Sequence, residues 1–216
     1  MEVKLVATTQ SHIEGIETPD QIISYCARVS NPSNQLNVET ADRLINYCIK
    51  NKHWSIFEQA DMTVEIKTSR AIAAQILRHR SFTFQEFSQR YSQATEFEKI
   101  EWRKQGKTNR QVGDEPTELP AHLQYAVDEA IRSTKCLYDM LINQGIAKET
   151  ARMILPLNTQ TTIYMKGSVR SWITYFMVRC ESHTQKEHRD IALAIREIFN
   201  KQFPTVAKAL GYLGNA

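Results

Sequence analysis

Between residues 61 and 80 the hydrophobic period changes from two to about 3.6 with almost no linker, and this constrains the fold more than any other feature. From Asp61 to Lys67 the chain alternates: Met62, Val64 and Ile66 are apolar, Thr63, Glu65 and Lys67 polar. That is the pattern of a half-buried strand. Ser69 then stands where a helix N-cap is wanted, and the spacing predicts a helix to about Arg80 that buries Ile72, Ala73, Ile76 and Leu77. Gln75, Arg78 and His79 fall at i, i+3 and i+4 of that helix and are expected to share a face.

Other segments fill in around this unit. Val3 to Thr9 reads as an edge or early strand. Thr18-Pro19 starts a helix, with Thr18 as N-cap and Ile22, Ile23, Cys26 and Val29 turned to the core. Asn31-Pro32 breaks the chain before a second helix over about 39–51. A long helix is expected over 120–144, ending at Gly145, and a short one from Lys148 to Leu155 before Pro156. A strand around 159–165 precedes helices over about 168–181 and 185–203, and a short helix after Pro204 completes the pattern. Residues 101–120 form a polar stretch of unusual length, a candidate lid or flexible loop. The mixture indicates a single α+β domain with helices packed on a modest mixed or antiparallel sheet.

With 216 residues the chain can bury a proper core. Its net charge of +3 is too small for general nucleic-acid binding. No apolar run approaches the roughly 20 residues that span a bilayer, and Met-Glu-Val-Lys opens no apolar leader, so a cytoplasmic protein is expected. Cys26, Cys48, Cys136 and Cys180 are scattered, with no zinc spacing. They are expected to be packing residues rather than metal ligands or thiolate nucleophiles.

The basic charge is local. Residues 78–91 hold Arg78, His79, Arg80 and Arg90 around Glu86, with Ser88 and three phenylalanines interleaved. Guanidinium forks match phosphate and carboxylate oxygens, so the segment suits a charged, planar ligand such as a nucleotide. Seven glycines include no G-x-G-x-x-G, which argues against a Rossmann-type dinucleotide site. Farther on, Trp172, Tyr175, Phe176, Arg179 and His183 follow one helical stripe. Arg179 on an aromatic face needs either an anionic ligand or an internal partner such as Glu181 or Glu187. Arg170, nine residues earlier, points about 180° away.

Arg78-His79-Arg80, seven further residues and Ser88, with Arg90-Tyr91 behind, resemble the signature of flavin-dependent thymidylate synthases. His53-Trp54-Ser55-Ile56-Phe57-Glu58, Ala151-Arg152 to Pro156, and Ser168-Val169-Arg170-Ser171 followed by Arg179 and His183 resemble other elements of that family. The resemblance spans about residues 22–203. It implies that Gln75, Arg78, Glu86, Ser88, Arg90 and Arg152 surround dUMP, with Arg179 activating the uracil. It implies an FAD site formed by His53, Ser55, Arg78, His79, Arg80, Glu86, Ser168, Arg170 and Thr174, partly across subunits of a homotetramer. NADPH as reductant and methylenetetrahydrofolate as carbon donor follow from the same likeness. Many family members carry asparagine where this chain has Gln85, Ser168 and Thr174, and only Gln85 keeps an amide.

Two rival readings differ in testable ways. A related flavin enzyme would hydroxymethylate a pyrimidine nucleotide and give a heavier product. A non-catalytic nucleic-acid-binding module would use the arginine–phenylalanine mixture to grip phosphates and stack bases, with steep salt dependence and no flavin.

Overall fold

The structure, a computed structural model, describes residues 1–93 and 96–213. Its centre is a four-stranded antiparallel sheet in the order β1 (Glu2–Thr8), β2 (Asp61–Ser69), β6 (Gln160–Ser168), β3 (Thr83–Glu86). The β2–β6 pair is unbroken, running from Asp61 opposite Ser168 to Ser69 opposite Gln160. The alternation read from the sequence is the alternation of burial: Met62, Val64 and Ile66 face the core, while Thr63, Glu65 and Lys67 do not.

Both central strands pass directly into helices, β2 into α3 (Arg70–Ile76) and β6 into α6 (Val169–Arg179). Because the strands are antiparallel, the two helices start at opposite ends of the sheet, and their C-terminal ends meet, with His79 against Arg179. Ser168 caps α6 through its hydroxyl, which accepts from Ser171 N at 3.3 Å. Ser69 occupies the N-cap position of α3, yet its side chain makes no capping bond. The first N–H groups of α3 donate instead to Thr159 O at 2.9 Å and Leu157 O at 3.0 Å. A neighbouring backbone thus supplies acceptors that a helix terminus otherwise lacks.

α1 (Pro19–Ala27), α2 (Ala41–Lys50), α7 (Lys186–Gln202) and α8 (Pro204–Ala209) complete the layer on the core face. Thr18 and Gln21 form a capping box at the start of α1. The core joins Met62, Val64, Ile163 and Met165 of the sheet to Ile72, Ile76, Trp172, Phe176, Ile195 and Phe199 of the helices. Trp172 Nε1 donates to Met62 O at 3.2 Å, so the indole is placed by a bond as well as by packing. Gly167 lets the Phe82 ring lie close against β6, for a Cβ there would sit 2.4 Å from two ring carbons.

Several local expectations change. α3 ends at Ile76 rather than near Arg80, because the chain must turn sharply for Phe82 to reach Gly167 and Trp172. Leu77 and Val29 are therefore exposed rather than buried, each lying just past a helix that stops early. Cys136 is also exposed, on α4 (Ala121–Asn143), so it is not a packing residue. The long polar stretch holds a two-stranded hairpin, β4 (Arg103–Gln105) with β5 (Gly113–Pro116). α5 (Lys148–Ala151) and one 3-10 turn over Arg152–Ile154 share the short helix expected before Pro156. Among the described residues no helix is long and apolar enough to cross a membrane.

Candidate active site

Arg179 ends α6 with a half-buried side chain and donates from Nε to His79 Nε2 at 2.9 Å. A guanidinium only donates, so Nε2 of His79 must be an acceptor and the ring is neutral, with its proton on Nδ1. Burial first, and then the Arg179 charge, pull the His79 pKa down to about 4. The imidazole stands edge-on to Tyr175, ring centroids 4.9 Å apart. Neither Glu181 nor Glu187 pairs with Arg179; Glu187 takes Arg103 of the hairpin instead. Among the described residues no carboxylate lies within ion-pair distance of Arg179, and its terminal nitrogens have no hydrogen-bond partner. Its charge and most of its donors are left for a ligand.

Gln75, on the penultimate residue of α3, reaches the same region. Its Nε2 donates to Gln185 Oε1 at 2.6 Å, and its Oε1 lies 3.3 Å from Nδ1 of His188. The other His188 nitrogen is 3.1 Å from the Tyr175 hydroxyl. Burial, then Arg179 and His79, bring the His188 pKa down to about 3, so it too is neutral. His188 was not singled out from the sequence. The signal was present: it shares a helical stripe with Ile191, Ala192, Ile195 and Phe199, and a histidine among buried apolar residues needs partners for both nitrogens. His183, by contrast, lies beyond the end of α6 and is exposed.

A second group gathers near the start of α3. Glu86 accepts from Arg70 Nη1 at 2.6 Å and from Thr161 Oγ1 at 3.0 Å, so its carboxylate is held in place. Arg70, another residue not anticipated, lines a cavity of about 290 Å³ with Gln89, Arg152 and Leu155. Gln89 is buried there, and its Nε2 has no hydrogen-bond partner among the described residues. Next to it, Ser88, Arg90 and Glu149 line a cavity of about 360 Å³. Glu149 gathers the cations: its carboxylate pairs with Arg90 at 3.1 Å and its backbone carbonyl accepts from Arg152 Nε at 3.3 Å. The exposed Arg90–Glu149 pair is worth at most about 1 kcal/mol, so an anion can displace it readily.

The remaining residues lie on a third surface or at the chain turns. Ser55 lines a cavity of about 590 Å³ with Tyr25, Gln35 and Gln59. His53 stands edge-on to Tyr47 at 5.7 Å. Arg170 pairs with Glu58 at 3.3 Å, and Thr174 returns its hydroxyl to the Arg170 carbonyl at 3.1 Å. Arg78 and Arg80 are exposed and form no ion pair among the described residues. Helix geometry therefore does not keep Gln75, Arg78 and His79 on one face: Gln75 and His79 turn inward while Arg78 faces out. No hydrogen bond among the described residues joins the Arg179–His79 pair to the Arg90–Arg152 group. The two groups flank opposite ends of α3.

Comparison with known proteins places the chain in a family. The chain matches the Thy1 family, described as thymidylate synthase complementing protein, over residues 6–205. The flavin-dependent thymidylate synthase of Synechocystis sp. is 54% identical, over 97% of this chain and 99% of that protein. A protein of Paramecium bursaria Chlorella virus 1 named "Probable flavin-dependent thymidylate synthase" is 49% identical, over 99% of this chain and 100% of its own length. The crystal structure of a UMP/dUMP methylase, PolB from Streptomyces cacaoi bound with 5-Br dUMP, has the same fold. Its TM-score is 0.80 at 23% identity, over 99% of this chain and 95% of the other. From the family match and the extent of these identities, the chain belongs to the flavin-dependent thymidylate synthases.

Proposed function

We propose that this protein converts dUMP to dTMP by reductive methylation, with methylenetetrahydrofolate as carbon donor and FAD, reduced by NADPH, as the redox cofactor. The observation that carries the reading is Arg179: a half-buried guanidinium tied by one nitrogen to a neutral histidine, with no other hydrogen-bond or ion-pair partner among the described residues. C5 of a pyrimidine becomes nucleophilic only when electron density is pushed into the ring, where it is shared with the ring carbonyl oxygens as an enolate. A prepositioned cation in a partly dry site stabilises that charge without reorganising. Arg179 is assigned this catalytic role, and Gln75 beside it orients the base.

Arg90 and Arg152, with Ser88, are assigned to the dUMP phosphate; Glu86, held by Arg70, is assigned to both dUMP and FAD. The chain also has groups that suit FAD. Exposed Arg78 and Arg80, without carboxylate partners among the described residues, match a pyrophosphate, and His53, Ser55, His79, Ser168, Arg170 and Thr174 are assigned to the rest of the cofactor. FAD would supply the reducing equivalents; the chain binds, orients and shields the reactants. The two groups at opposite ends of α3 would be completed by neighbouring subunits of a homotetramer in the cytoplasm.

The test is the mass of the nucleotide product after incubation with FAD, NADPH, methylenetetrahydrofolate and dUMP. A gain of one methylene unit supports the reading. Unchanged dUMP with reagents shown to be active, or a product heavier by a further oxygen, refutes it.

A further inference from the structure

We propose that His188 and Gln185 are positioning residues that hold the Gln75 carboxamide in one of its two orientations, with the direction imposed by the Arg103–Glu187 pair. The proposal rests on the reading of Gln75 as a contact to the nucleotide.

The direction follows from donor and acceptor identities. An ionised carboxylate only accepts. Burial alone would raise the Glu187 carboxyl, but hydrogen bonds from Arg103, its own backbone and Gln185, with the Arg103 charge, hold it below the usual range. Arg103 Nη2 donates to one Glu187 oxygen, and Gln185 Nε2 donates to the other at 3.0 Å. Gln185 must then turn its Oε1 to Gln75, whose Nε2 donates at 2.6 Å. Gln75 in turn presents Oε1 to His188, so the proton of that ring sits on Nδ1, 3.3 Å away. His188 Nε2 is left to accept the Tyr175 O–H at 3.1 Å.

Reversing any one amide opposes two acceptors or two donors, so the chain of bonds has one polarity from end to end. Its inner end lies in the site: His188 is 6.0 Å, ring to ring, from the His79 that holds Arg179. Among the described residues Gln75 keeps one Nε2–H and one Oε1 lone pair without a partner, and their directions are set. The hairpin β4–β5 joins this machinery through Arg103, which ties the long polar segment to base recognition.

The experiment is calorimetric titration of dUMP into FAD-loaded protein. The variants are Gln75→Ala, His188→Phe and Glu187→Gln, with His188→Phe and Glu187→Gln each also combined with Gln75→Ala. Each single substitution is expected to weaken dUMP about tenfold, and the second change in a Gln75→Ala background to add less than about twofold. A role in folding alone would weaken binding by the same factor in both backgrounds, and that result overturns the proposal. Unchanged affinity in Gln75→Ala would instead remove Gln75 from the nucleotide site and take the proposal with it. Glu187→Gln is nearly isosteric and lies near the surface, so it gives the answer even if His188→Phe does not fold.

Discussion

The Nε–H of Arg179 meets Nε2 of His79 at 2.9 Å, a bond that demands a neutral imidazole and ties the charge state of one residue to the position of the other. Burial and the guanidinium charge both lower the His79 pKa, to about 4 from an ordinary 6.5. Since the folded value lies below the unfolded one, the associated stability is present above about pH 6.5 and is lost as pH falls toward 4. Replacing Arg179 with alanine removes the second cause and leaves burial. The His79 pKa should rise but stay below 6.5, as read from imidazole ¹⁵N shifts in a pH titration. An unchanged His79 titration in Arg179→Ala would show that the pair does not act as described.

The same substitution separates chemistry from cofactor binding. Arg179→Ala should abolish turnover while the purified protein keeps its flavin absorbance. Loss of FAD instead would put Arg179 in the cofactor site.

Arg90 loses only a weak surface pair with Glu149 when it turns to an anion. A charge-assisted bond to phosphate is worth about 1.5–3 kcal/mol, so Arg90→Ala should weaken dUMP at least about tenfold. Titration of the flavin-loaded protein with dUMP measures this, and an unaltered dissociation constant would exclude Arg90 from phosphate binding.

Gly167 faces the Phe82 ring at a distance no Cβ can share. Gly167→Ala should push Phe82 away from Trp172, now 4.6 Å ring to ring, and cost about 1–3 kcal/mol by overpacking. Urea unfolding of the two proteins would show it; equal midpoints would mean that Phe82 moves aside without cost.

Asp20 is buried and accepts from Thr205 N at 3.0 Å and Val206 N at 3.3 Å. Burial raises its pKa to about 6, against the pull of those two backbone bonds. With the folded pKa above the unfolded value, its stabilising share is intact below about pH 4 and is lost as pH rises through 6. The stability of the wild type relative to Asp20→Asn should therefore fall by on the order of 2 kcal/mol between pH 4 and pH 7.5. A pH-independent difference in denaturant unfolding would contradict the linkage.

The sequence alone determined whatever depends on near neighbours in the chain. Alternation at Met62, Val64 and Ile66 marks β2, Thr18-Pro19 marks the start of α1, and the fixed spacing of Arg78, Arg80, Ser88 and Arg90 marks the family. Tertiary structure decided where local preferences met a stronger distant demand. α3 stops at Ile76 because Phe82 must reach Gly167, and Ser69 leaves its cap unused because Thr159 and Leu157 supply the acceptors. His188 and Arg70 acquire meaning only from Gln75 and Glu86, which are far from them in sequence. A buried polar group must find its partner in space, and only the folded chain says which residue that partner is.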